Sequence, residues 1–296
     1  MRSAKVSLPD GRIISYAEYG DPTGFPLIWC HGNPGSRREA DLLEPTLLQR
    51  AHVRAIVPDR PGVGLSTWRG QRKLTDWPTD LAALTATLKL ERFALLGLSG
   101  GAPYALACAR AMPHRVTRTA IVSGIGPLEV LDDATQRERG PSYFVMARRS
   151  YWLVFGMTWL MQRGLHQPDK LMAQVFAGLP PIDQETLNDP RTRQSFLNLL
   201  HEAFRQGGRG LAWDATLIAR PWGFSLREIK LPIDLWHGDA DRNAPLAMGG
   251  QMAAELPNSY LHILPGEGHF SVPVRHMTTI LQRLVVPSDF GTENQV

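Results

Sequence analysis

Along the chain, short runs of consecutive apolar residues alternate with longer stretches whose apolar residues recur at helical spacing. Continuous apolar runs of strand length mark strands buried on both faces, and the longer spacing marks one-sided helices. In the first block, Lys5–Leu8 and Ile13–Glu18 are predicted strands joined by the turn Pro9-Asp10-Gly11, a hairpin signal. Then come a strand Leu27–Cys30, a helix Arg37–Ala51, a strand Val53–Pro58 and a helix Asp76–Leu90 with Leu81, Leu84 and Leu88 on one face. A strand Phe93–Leu98, a helix Gly100–Met112 and a strand Val116–Ser123 close the block.

The second block starts near Leu231, with a strand Ile233–His237, a helix Ala244–Glu255, a strand Tyr260–Leu264 and a helix Val272–Leu284. Strand followed by helix, repeated, implies an α/β fold with parallel strands and helices over both sheet faces. Between the blocks, Gly126 to Arg227 shows no strand-like alternation but has helical stretches such as Tyr143–Gly164 and Thr192–Gln206. Trp152, Phe155, Trp159 and Leu160 make one broad apolar surface there, either packing core or the wall of a ligand pocket.

The 296 residues suit one core with an insertion better than two equal domains. A composition 43% hydrophobic and 20% charged is that of an ordinary globular chain. The net charge of +4 is spread out; Arg37–Arg38 and Arg148–Arg149 are isolated pairs, not the basic stripe that nucleic-acid binding requires. The two cysteines, Cys30 and Cys108, lie in apolar runs and form no C-x-x-C pair, which excludes thiolate-metal and thioredoxin-like sites. Met1–Gly11 lacks an apolar signal region, so a cytoplasmic location is expected. Tyr151–Met161, the most apolar stretch, falls short of the roughly 20 residues a membrane span needs. The polar tail Pro287–Val296 is expected to fray.

Chemistry enters at the ends of predicted strands. Gly97-Leu98-Ser99-Gly100-Gly101 is a G-x-S-x-G sequence that follows a strand and opens a helix. Glycines around such a sharp turn relieve the backbone and present the serine hydroxyl above the sheet edge. The helix N-terminus behind it aims N–H groups at a developing oxyanion. His31-Gly32-Asn33-Pro34-Gly35, after the strand Leu27–Cys30, supplies a second loop at that edge. The backbone N–H groups of Asn33 and Gly100 are the expected oxyanion donors, and His31 is expected to be a packed histidine. Asp59-Arg60-Pro61-Gly62-Val63-Gly64 resembles a dinucleotide loop but lacks the third glycine and the following helix, so it reads as a structural turn. His237-Gly238-Asp239-Ala240-Asp241 and Gly266-Glu267-Gly268-His269 each follow a strand. The carboxyl ends of parallel strands are where open α/β sheets bind ligands.

The order Ser99, Asp241, His269 is that of a hydrolytic triad on such a sheet. With the motifs HGNPG, DRPGVGLS, GLSGG, HGDADRNAP and GEGHF in this order, the chain resembles the α/β-hydrolase superfamily, in its cap-bearing serine hydrolase and esterase branch. The resemblance implies a mostly parallel eight-stranded sheet flanked by helices, with a helical cap inserted after strand six. Residues 1–125 and 228–296 would form the core domain, and 126–227 the cap. It implies Ser99 as nucleophile, His269 as base and Asp241 as the acid orienting it, with Asp239 shaping the loop. The expected activity is cleavage of a carboxylic ester or related acyl substrate without metal or organic cofactor. The expected partner is a small molecule, not a nucleic acid. Trp152, Phe155 and Trp159 would line the substrate pocket. Thioesterases, iminopeptidases, C–C bond hydrolases and haloperoxidase-like enzymes share these features, and so would a ligand-binding protein without turnover. Epoxide hydrolases and haloalkane dehalogenases use an aspartate where Ser99 stands.

Overall fold

In the computed structural model, which describes residues 1–128 and 143–285, eight strands form one sheet. They are β1 (Arg2–Ser7), β2 (Ile13–Gly20), β3 (Phe25–Cys30), β4 (Val53–Pro58), β5 (Phe93–Leu98), β6 (Val116–Val122), β7 (Ile233–Gly238) and β8 (Ser259–Leu264), in the spatial order β1-β2-β4-β3-β5-β6-β7-β8. β2 pairs antiparallel with both β1 and β4, and the pairs from β4 to β8 are parallel. The tail Pro287–Val296 lies outside the described residues.

Alternation along the central strands divides the core. Ile28, Ile56 and Leu95 point to one face, and Leu27, Ala55, Ala94 and Leu96 to the other. The first face is covered by α2 (Trp77–Thr87), α3 (Ala102–Ala111) and α10 (Leu246–Glu255), through Leu81, Leu84, Tyr104, Leu106 and Met252. The second is covered by α1 (Leu47–Arg50) and α11 (Ser271–Val285), through Leu47, Leu48, Met277, Ile280 and Leu281. Every residue of β5 is buried, which explains its unbroken apolar run.

The predicted helix Arg37–Ala51 is in fact a short 3-10 turn, Glu39–Leu42, and the single helical turn α1. Pro45 divides them: it lacks an N–H and disfavours helical geometry in the residue before it.

Between β6 and β7 the described residues form α4 (Tyr143–Arg149), α5 (Tyr151–Gly164), α6 (Pro168–Phe176), α7 (Pro181–Asn188), α8 (Pro190–Ala203) and α9 (Arg209–Ile218). This helical segment after the sixth strand fits a cap. An apolar cluster around Leu171, Met172, Leu187, Phe196 and Leu200 joins it to Leu42 and Val63 in the loops below. Buried ion pairs join it to the loops after β3 and β4: Arg37 to Glu202 at 2.7 Å and Arg60 to Asp214 at 2.6 Å. Among the described residues, no helix is long and apolar enough to cross a membrane.

Candidate active site

Ser99 stands between the last residue of β5 and the start of α3, with a φ of 52°. This left-handed conformation costs a residue with a Cβ about 1–2 kcal/mol and persists only where its surroundings enforce it. The surroundings here are tight. A Cβ on Gly101 would lie 1.9 Å from the Cys30 carbonyl oxygen, and one on Gly97 would lie 2.9 Å from Ala105 Cβ. The Ile125 N–H donates to the Ser99 carbonyl at 3.1 Å and ties the turn to the loop after β6.

The Ser99 hydroxyl is 3.0 Å from His269 Nε2, and His269 Nδ1 is 2.8 Å from Asp241 Oδ2. The other oxygen of Asp241 accepts the Asn243 and Ala244 N–H groups, both at 2.8 Å, so the carboxylate is locked in its own loop. Asp239 faces elsewhere and accepts the Gly266 N–H at 2.7 Å, bracing the turn that leads to His269. Burial pushes the His269 pKa down, but the charge and hydrogen bond of Asp241, then Asp183 and Glu39, outweigh it, and the net shift is upward.

Asn33 and Ser99 line the same cavity, and a Cβ on Gly100 would lie 3.1 Å from the Asn33 backbone nitrogen. The peptide groups of Asn33 and Gly100 are thus neighbours beside the serine. The Asn33 side chain is tied to the cap, donating to the Leu211 carbonyl at 3.0 Å and accepting from the Tyr143 hydroxyl at 3.2 Å. His31 is fully buried; its Nδ1 lies 2.9 Å from the Gly32 carbonyl, and burial pushes its pKa well down. The Asp59–Gly64 turn packs against this loop: the Arg60 guanidinium donates to the carbonyls of His31 and Gly32.

Above Ser99 the cap and the core enclose a cavity of about 450 Å³. Its walls are largely apolar, with Met157, Met161, Leu171, Val175, Phe196 and Leu200 from the cap and Ile125 and Phe270 from the core. Arg242 and Asn243 add polar groups. The expected wall residues Trp152, Phe155 and Trp159 do not line it. Trp152 and Trp159 are 74% and 44% exposed, and Phe155 stacks on Tyr151 at 5.9 Å. The reason is helical phase. Met157 and Met161, four apart, share the inner side of α5, while positions 152, 155 and 159 fall on the opposite side at 100° per residue.

Two buried carboxylates near Ser99 had no signal in the sequence. Glu39 accepts the Gly32 N–H and the Trp29 indole N–H, both at 2.8 Å, and burial pushes its pKa up to about 7 against those bonds and the Arg60 charge. Asp183, on the cap helix α7, accepts the backbone N–H of His269 at 2.7 Å. Both are buried, and their partners come from packing.

A family model described as the alpha/beta hydrolase family matches residues 27–281, from β3 to α11. The chain belongs to the alpha/beta hydrolase family. This hydrolase is 28% identical to a non-heme haloperoxidase of Rhodococcus erythropolis, over 89% of this chain and 92% of that one. It is 26% identical to a bifunctional esterase/perhydrolase of Acinetobacter calcoaceticus, over 95% and 97% of the two chains. A shorter match, 34% identical, joins 43% of this chain to 47% of a non-heme chloroperoxidase of Streptomyces lividans, so the chain spans under half of that relative. The fold is that of a solved hydrolase from Pseudomonas aeruginosa, with a TM-score of 0.70 at 19% identity, covering 96% of this chain and 98% of that one.

Proposed function

We propose that this protein is a serine hydrolase that cleaves a carboxylic ester, or a closely related acyl substrate, through an acyl-enzyme on Ser99. The observation that carries the reading is the hydrogen-bonded chain from Ser99 through His269 to Asp241, which opens into an apolar cavity. Ser99 Oγ attacks the carbonyl carbon while His269 Nε2 takes its proton. Asp241 keeps the proton on Nδ1 before the attack and stabilises the imidazolium after it. The carbonyl electrons move onto oxygen, and the N–H groups of Asn33 and Gly100 hold that charge. The tetrahedral species then collapses, His269 protonates the departing alcohol, and an acyl group stays on Ser99. Water gives a proton to His269 and attacks the acyl carbon; the second tetrahedral species collapses, His269 returns that proton to Ser99 Oγ, and the acid leaves.

In this reading residues 1–125 and 228–296 build the catalytic core, and 126–227 form the cap that shapes the substrate site. The pocket's apolar cap residues favour a medium-length acyl or alkyl chain. An esterase/perhydrolase aligned over nearly the whole chain supports this class of reaction. The test is a p-nitrophenyl ester assay paired with a fluorophosphonate. A product burst matching the enzyme concentration, with one phosphonate attached at Ser99 per chain, is the expected result. Absence of both burst and labelling in the folded protein would overturn the proposal.

A further inference from the structure

Asp183 belongs to the cap, yet its carboxylate ends at the loop that carries His269. Its side chain has no exposure to solvent. A buried carboxylate is costly unless its lone pairs are met by donors. Here Oδ2 accepts the His269 N–H at 2.7 Å, and Oδ1 accepts the N–H groups of Phe270 and Ser271, both at 2.9 Å. Among the described residues, no arginine or lysine pairs with it.

These three peptide groups lead into α11, the 15-residue helix from Ser271 to Val285. The first N–H groups of a helix have no partner within it and carry the positive end of its dipole. Asp183 meets them as an N-cap would, but from a residue 86 positions earlier in the chain than His269. The contact is close along the loop: a Cβ on Gly268 would lie 2.4 Å from Asp183 Oδ2. The loop is also closed on itself, with the Gly268 N–H donating to Ser271 Oγ at 2.7 Å.

We infer that Asp183 is a positioning residue for His269, so that the histidine reaches Ser99 in working geometry only when the cap is seated on the core. The inference rests on the serine hydrolase reading. It differs from a purely structural N-cap because one bond goes to the backbone of His269 itself. A shift of the cap carboxylate therefore moves the imidazole.

The position has an electrostatic consequence as well. Among the described residues, the charged or titratable groups that bias the His269 ring include Asp241 from the loop after β7, Asp183 from α7, Glu39 from the turn after β3, and His237 at the end of β7. The three carboxylates favour the imidazolium, and His237 opposes it when charged. Neutralising Asp183 lowers the His269 pKa, so the acidic limb of activity moves to lower pH.

The test uses the full chain and a fluorophosphonate, so that no knowledge of the natural substrate is needed. The rate constant for Ser99 modification is measured against pH for the wild type, for D183N and for G268A, each at a temperature where circular dichroism shows it folded. Asparagine can serve Phe270 and Ser271 through its carbonyl, but it turns an NH₂ toward the His269 N–H. G268A keeps the charge and displaces the carboxylate. Both variants should react about 10- to 100-fold more slowly, because misplacing a reacting group by roughly 1 Å costs up to about 10²-fold. D183N should also move the midpoint to lower pH, and G268A should move it less. A wild type that is never labelled at Ser99 would overturn the underlying hydrolase reading. A reactive wild type, with D183N matching it in rate and midpoint and only melting earlier, would overturn the role of Asp183 alone. If D183N does not fold, G268A decides: a wild-type rate there overturns the inference.

Discussion

Asp241 Oδ2 lies 2.8 Å from His269 Nδ1, while Asp239, two residues earlier, spends its carboxylate on the Gly266 N–H. The two aspartates of one loop therefore differ in kind. D241N should leave the histidine in the wrong tautomer and reduce kcat by roughly 10⁴-fold. D239N removes only a brace of the turn and should cost far less. Steady-state kinetics of both variants on one ester decides this; equal losses, or the reverse ranking, would move the triad acid away from Asp241.

Ser99→Ala should abolish turnover and leave the fold intact, since the hydroxyl contributes chemistry more than packing. Loss of a triad member costs on the order of 10⁴–10⁶ in kcat. Turnover by the purified variant, compared at matched thermal melting, checks it. Retention of more than a few per cent of activity would show that another group attacks.

The pH profile follows from the His269 shift. The base must be neutral to take the serine proton, so kcat/KM rises as pH passes upward through the His269 pKa. Asp241 and its fellow carboxylates outweigh burial and raise that pKa, so the midpoint should lie above about 6.5, the ordinary imidazole value. A kcat/KM titration with a neutral ester reads it directly. A midpoint well below the ordinary value would mean that desolvation dominates.

Asp214 should matter to stability. It is fully buried between Arg60 and Arg72, and the Tyr104 hydroxyl donates to it at 3.0 Å. Burial alone would raise its pKa, but the two guanidiniums bring it down to about 2. A depressed carboxylate stabilises the fold above its unfolded pKa, and this contribution is lost as pH falls through about 2. D214A leaves two buried cations uncompensated and should cost about 3–5 kcal/mol. Urea unfolding at neutral pH measures it, and a loss under about 1 kcal/mol would refute the account.

Substrate length should be read by Met157, Met161, Leu171 and Val175. Each buried methylene contributes about 0.8 kcal/mol, so kcat/KM should climb roughly three- to fourfold per methylene from acetate toward hexanoate and then fall. L171W should shorten the preferred chain. W159A, on the far side of α5, should leave the profile unchanged. A flat profile across chain lengths would refute an acyl-binding role for the cavity.

The strand Phe93–Leu98 was legible to the residue because burial on both faces demands an uninterrupted apolar run, a local property, and Val53–Pro58 was legible too although Arg54, paired with Glu18, interrupts its run. Ser99, Asp241 and His269 were legible as candidates for a related reason. Each follows a strand in a glycine-containing turn, and parallel strands deliver such turns to one sheet edge. The inner face of α5 was not legible. That helix carries large apolar residues on both sides, so composition could not distinguish Met157 and Met161, over the cavity, from Trp152 and Trp159, facing out. Glu39, Asp183 and Asp214 were hidden for a different reason. A lone carboxylate looks the same in the sequence whether water or buried donors solvate it. Asp183 meets the N–H groups of His269, Phe270 and Ser271, Asp214 meets Arg60, Arg72 and Tyr104, and Glu39 meets Trp29 and Gly32 only once the chain has folded. The sequence determined which residues could do chemistry and at which edge of the sheet. The tertiary structure decided how Ser99, His269 and Asp241 meet and that Asp183 braces the histidine, because those partners are far apart along the chain and joined only by packing.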